Sequence, residues 1–380
     1  MKKLLIIIVL ALFVSLGVLL YLISARRAPE AADTVTPDAS PTAAATGLIA
    51  SPAAAAEKTA LRLSETPALP SLHANSDGSV SYYTRDGAWR VTPGADATPE
   101  TLSEVDIADL FEVAWSPSGK QVITTRQSDV ARANVFYDYA TSRAQPIIPA
   151  ARAFVWSPTG NAIAYQEKDD SAGVNQIIRS SPRGEDPRIV FKTRVALWRL
   201  YWPVAERMFV AAQPSGLAAG TLFTLNPQDG LLQKLFTQNG LIANPAPDGK
   251  RVLYSHTDNR GDNLTLSLSE VGTAHNRNLT AEFGLKTLAE KCVWTRDAKA
   301  VVCAVFSGNP DGSVMPDDYY KGVFTSSERI VRLNVETGER AEIALESSVD
   351  VALPVLTNEG GWFVFINRAD GMVYGVKLAP

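Results

Sequence analysis

Beyond residue 59 the apolar positions of the chain alternate over short runs, as in Arg251-Val252-Leu253-Tyr254-Ser255 and Leu264-Thr265-Leu266-Ser267-Leu268. Turn chemistry separates the runs, as at Asn226-Pro227-Gln228-Asp229-Gly230 and Glu336-Thr337-Gly338-Glu339. Period-two alternation bounded by such turns predicts short β-strands. No stretch of that region carries a 3.6-residue period, so long helices are not expected there.

One phrase punctuates the strands. It reads Ala114-Trp115-Ser116-Pro117-Ser118-Gly119-Lys120 and again Val155-Trp156-Ser157-Pro158-Thr159-Gly160-Asn161. Weaker copies are Tyr201-Trp202-Pro203, Pro247-Asp248-Gly249-Lys250 and Val293-Trp294-Thr295-Arg296-Asp297. Markers at Ala74, Trp115, Trp156, Trp202, Pro245, Trp294 and Leu356 are spaced by 41, 41, 46, 43, 49 and 62 residues. That period predicts a β-propeller of four-stranded blades. Seven markers predict seven blades, with six blades and irregular ends as the alternative. After Val351 there is room for only three strands, so 60–63 or 68–72 is expected to supply the fourth and close the ring.

The Trp-Ser-Pro-x-Gly-Lys phrase before a short apolar strand resembles the repeat of TolB-like propellers, over roughly 70–380. Blades two and three carry it best. Blade four has Glu206, and blade six Ala298, where the glycine would stand. The resemblance implies an all-β propeller and, in TolB itself, protein binding outside the cytoplasm. It transfers no functional residue, because unrelated activities share the repeat.

The N-terminal region reads differently. Lys2 and Lys3 precede a 20-residue uncharged stretch, Leu4 to Ile23, that is apolar but for Ser15. That length predicts a signal anchor or transmembrane helix over 1–25 rather than a shorter secretory signal core. Residues 26–58 form an Ala/Pro/Thr-rich linker. Of the 31 residues from 28 to 58, 12 are Ala and 4 are Pro, too little apolar bulk to offset chain entropy. The propeller is then 59–380, outside the cytoplasm and tethered to a membrane.

Composition narrows function only partly. The net charge is −4 and no basic run exceeds two residues, which argues against nucleic acid as a partner. The three histidines, His73, His256 and His275, are scattered, and no hydrolase, zinc-protease or P-loop motif occurs. No cofactor, catalytic residue or metal site is predicted. The two cysteines flank one hairpin. With its turn at Asp297-Ala298, Cys292 lies opposite Cys303, close enough for a disulfide in an oxidising compartment; two buried thiols are the alternative.

Alternating strands place the long loops 126–133, 167–175, 213–220, 256–263 and 307–326 on one face, where function concentrates. The longest holds Asp311, Met315, Asp317, Asp318, Tyr319 and Tyr320, a candidate partner-binding set. The competing reading tucks this loop down, with its tyrosines packed on the propeller. The loop-rich face carries more Asp and Glu than Lys and Arg, which favours a basic partner. The expected function is a non-catalytic scaffold that binds an envelope protein. The alternatives are an envelope hydrolase using loop carboxylates, and the sensing domain of a larger assembly.

Overall fold

A computed structural model describes residues 59–104, 109–129, 131–272, 280–357 and 360–378. The expected anchor over 1–25 and the expected linker over 26–58 lie outside the described residues. Among the described residues no helix is long and apolar enough to cross a membrane, so the transmembrane part of the expected fold is not found.

The described chain is all-β. Successive strands pair antiparallel with their sequence neighbours, and the only helical pieces are the 3₁₀ turn Ala289–Lys291 and the α-turn Asp317–Tyr320. The strands form six sheets, five of four strands and one of seven. Counted as hydrogen-bonded sheets the ring therefore has six blades, and the expectation of seven separate four-stranded blades is corrected. The cause is one 14-residue strand, Leu232–Pro245. Its first half pairs with Ala219–Leu225 and its second half with Arg251–Thr257. Two repeats that elsewhere are joined by a break in the ladder are here fused through Gly240, which bends the strand at φ 60°.

The ring closes as the strand count requires. Val351–Leu356, Trp362–Asn367 and Val373–Lys377 form the last sheet, and Leu61–Arg62 adds its fourth strand against Val373–Lys377. Leu63 follows that strand into the core beside Val80, Tyr82 and Val364. The first and last segments of the domain thus hide each other's edges.

The repeated phrase performs one structural task in several places. Trp115, Trp156 and Trp294 end inner strands, and their indole N–H groups donate to Ser71 O (2.6 Å), Ala114 O (2.9 Å) and Asn244 O (3.0 Å). Each ring reaches the backbone of the preceding repeat, so a large apolar surface is buried while its one polar atom is satisfied. The turn after Trp115 needs its glycine. Gly119 has φ 68°, and a Cβ there would stand 2.2 Å from the Asn75 side-chain oxygen. At the equivalent place Ala298 adopts φ 58°.

Candidate functional site

The insertion 307–326 is pinned to the propeller. Asp317 accepts hydrogen bonds from Ser215 Oγ (3.0 Å) and the Gly216 N–H (2.7 Å). Asp318 accepts from the Val314 N–H (2.8 Å), closing the turn on itself. Asp311 pairs with Lys286 at 3.0 Å. Met315 and Tyr319 are buried in the largest apolar cluster, and Arg368 lies 4.1 Å above the Tyr319 ring. Of the six residues expected to bind a partner, Tyr320 is the one counted among the exposed large side chains, at 43 %.

Below this loop lies a buried ionic knot. Lys291 Nζ donates to Glu328 (2.5 Å), Asp350 (3.1 Å) and the Val351 carbonyl (2.6 Å). All three ammonium hydrogens are used. Burial pushes the Glu328 carboxyl up, although Lys291 pulls against it. Burial opposes the charge on Lys291, but Glu328 and its neighbours outweigh that and hold its pKa up. The knot joins the last two sheets and, through the Tyr319 ring 4.5 Å from the ammonium, the insertion.

Tyr320 continues inward. Its hydroxyl accepts from Arg199 Nη2 and donates to Glu290, both at 2.9 Å, while Arg199 Nη1 pairs with Glu290 at 2.9 Å. Burial works against the Arg199 charge, yet Tyr320 and Glu290 raise its pKa above the ordinary value. Arg199 and Glu290 line two cavities. One, of about 1260 Å³, runs past Asn244, Trp294 and Leu356 towards the short turns. The other, of about 460 Å³, lies among the starts of the inner strands Leu110–Trp115, Arg152–Trp156 and Trp198–Val204.

The smaller cavity is shaped by bulges. The ladder slips between Leu110 and Glu112 and again between Arg152 and Val155, where Ala153 takes φ 53°. An extra residue at a strand rim re-aims its neighbours. Here Phe111 is left 58 % exposed with the Arg132 guanidinium 5.4 Å from its ring. Arg132, Arg152 and Arg199 line the cavity together with Glu112 and Glu290. Burial raises the Glu112 pKa, with Arg132 opposing. The Arg132 pKa is lowered by burial and then by Arg152, only partly offset by Glu112. Arg132 Nη1 and the indole nitrogen of Trp198 are buried without a hydrogen-bond partner.

Sequence reasoning missed this group. A signal was present: Glu112, Arg152, Arg199 and Glu290 each stand three or four residues before a marker Trp, in otherwise apolar surroundings. What the sequence could not give is that these positions converge. Nor does the acidity of the loops describe the cavity, where guanidiniums gather. The cysteines face each other in the ladder with Trp294 opposite Val301, and they are disulfide-bonded. His73 is packed against Trp115 with ring centroids 5.8 Å apart, and His256 contacts Ser267 at 3.1 Å. His275 lies outside the described residues. Among the described residues no three His, Cys, Asp or Glu side chains converge to hold a metal.

No protein-family profile matches the chain. No curated protein matches it either. Solved structures do. Oligogalacturonate lyase in complex with manganese aligns with a TM-score of 0.59 at 11% identity, over 85% of this chain and 96% of the lyase. The β-propeller domain of the Trilobed protease from Pyrococcus furiosus gives 0.53 at 12%, over 84% and 94%. TolB from Acinetobacter baumannii gives 0.48 at 14% identity over 73% of this chain, which spans 66% of the TolB chain. At these identities the likeness is one of fold. The manganese of the lyase complex would find no group of three His, Cys, Asp or Glu side chains to hold it among the described residues here. Repeat turns, ring closure and structural neighbours agree that the chain folds as a β-propeller.

Proposed function

We propose that the propeller is a non-catalytic binding module whose loop-rich face docks a protein partner, in an oxidising compartment outside the cytoplasm. The observation that carries this is the pairing of exposed apolar side chains with a rigid mount. Leu217 is 64 % exposed and Val323 74 %, on segments tied to each other through Asp317, Ser215 and Gly216. Apolar groups held in place lose little entropy on docking, which is how interface anchors gain affinity. The Cys292–Cys303 bridge supports the compartment.

The test uses the full chain as bait in a native extract of its source. Wild type captures a protein in stoichiometric amount, and Leu217→Asp or Val323→Asp lowers its affinity at least about tenfold. Unchanged capture by both variants overturns the docking face.

One observation favours a second reading, a hydrolase. Glu112 and Glu290 line the same cavity, the first raised by burial and the second paired with Arg199. Two carboxyls in one cavity can divide acid and base roles. Turnover of a glycan or peptide that Glu112→Gln abolishes would establish this reading in place of the first.

A further inference from the structure

The cavity of about 460 Å³ offers hydrogen-bond donors in excess of acceptors. Arg132 Nη1 and Trp198 Nε1 point to no acceptor, although Trp198 is only 4 % exposed. Buried donors left without partners are costly, so a ligand supplying acceptors would recover that loss. Among the described residues neither Arg132 nor Arg152 has a carboxylate within ion-pair distance, and the two guanidiniums disfavour each other. Of the acceptors nearby, Glu290 takes hydrogen bonds from Arg199 and Tyr320, Gln213 faces Arg199 at 3.5 Å and Gln127 accepts from Arg132 Nη2, which leaves Glu112 beside Arg132. A planar guanidinium matches a carboxylate with two parallel N–H···O contacts.

The geometry points to a carboxylate-binding site at the mouth of the inner strands, in which Arg132, Arg152 and Trp198 hold an aspartate or glutamate side chain from an acidic segment of the docked partner. The inference rests on the partner-binding reading above and names the chemistry of the partner. A peptide fits better than an acidic sugar for a reason visible in the site. Sugar hydroxyls need acceptors as well as donors, and of the two carboxyls that line the cavity Glu290 is already taken by Arg199 and Tyr320. The exposed Phe111 ring beside Arg132 gives apolar contact to the flanking residues of a peptide.

The test is calorimetric titration of the full chain at low salt with an N-acetylated, C-amidated tetraglutamate peptide. Tetraglutamine, glutarate and tetragalacturonate serve as parallel ligands. Tetraglutamate is expected to bind and tetraglutamine not to. Arg152→Gln, at an exposed position, and Arg132→Gln should each weaken tetraglutamate at least about tenfold, and added salt should weaken it in wild type. Arg152→Gln decides alone if Arg132→Gln does not fold. Absence of tetraglutamate binding, equal affinity in Arg152→Gln, or glutarate or tetragalacturonate binding as tightly as the peptide would each overturn the inference. Leu217→Asp and Val323→Asp should leave tetraglutamate binding intact, so failure of the docking face and failure of this site give different results.

Discussion

The two ends of the inner strands are built to opposite standards. At the short-turn end the repeated polar atoms are matched, although His73 Nε2 is buried without a partner: the indoles of Trp115, Trp156 and Trp294 donate to backbone carbonyls, and Asn75 holds Ser79 and Ser81 at 3.0 and 2.8 Å. At the loop-rich end the ladders slip, Phe111 stands in solvent, and Arg132 and Trp198 keep donors with no acceptor. The first end repeats because every blade must solve the same packing problem. The second varies because its residues answer to something other than the neighbouring blade. A fold that repeats one solution at one rim and gathers unpaired guanidinium and indole donors at the other has put its stability and its recognition in different places.

That division predicts which substitutions matter to which property. The largest stability effect belongs to the turn end. Trp156→Ala removes a ring 6 % exposed together with its bond to Ala114 and should cost about 3–5 kcal/mol, read as a lowered denaturant midpoint. A loss below about 1 kcal/mol would break the comparison.

Next comes acid sensitivity at the same end. Burial against Trp115 lowers the His73 pKa from 6.5 to about 4. A histidine held neutral in the fold contributes stability that is complete above 6.5 and lost as pH falls towards about 4. The total is about 3 kcal/mol. Melting temperature against pH should therefore drop across that window, and His73→Phe should flatten the drop. An unchanged pH profile in the variant would place the acid sensitivity elsewhere.

The smallest stability effect is expected at the loop-rich end. Arg152→Gln should change stability by no more than about 0.5 kcal/mol, as an exposed side chain does, while altering tetraglutamate binding. A large loss of stability there would mean that the arginines are structural and would erase the contrast.

Much of the fold was legible from local pattern. The period of the marker residues, the hairpin pairing Cys292 with Cys303, and the need for an N-terminal strand at 60–63 or 68–72 all follow from spacing and from the rule that edges must be covered, and the structure selects Leu61–Arg62. The blade count did not follow, because Leu232–Pro245 carries one marker yet belongs to two repeats. Whether the ladder breaks between repeats depends on a bend at Gly240, which composition alone does not set. The insertion was legible as an insertion, but not as a loop pinned by Asp317 to Ser215 and Gly216, a hundred residues away in the chain.

By itself the sequence determined that the chain repeats, that its strands are short, and that its turns carry a buried indole and a glycine where φ is positive. These are local properties, fixed by side-chain alternation and backbone sterics within a few residues. Only the tertiary structure decided that Glu112, Arg132, Arg152, Trp198, Arg199 and Glu290 share one cavity. They come from the repeats marked by Trp115, Trp156, Trp202 and Trp294 and meet because a closed ring brings the starts of its inner strands together. Convergence of that kind depends on blade twist, bulge position and closure, and none of these is written at any single position.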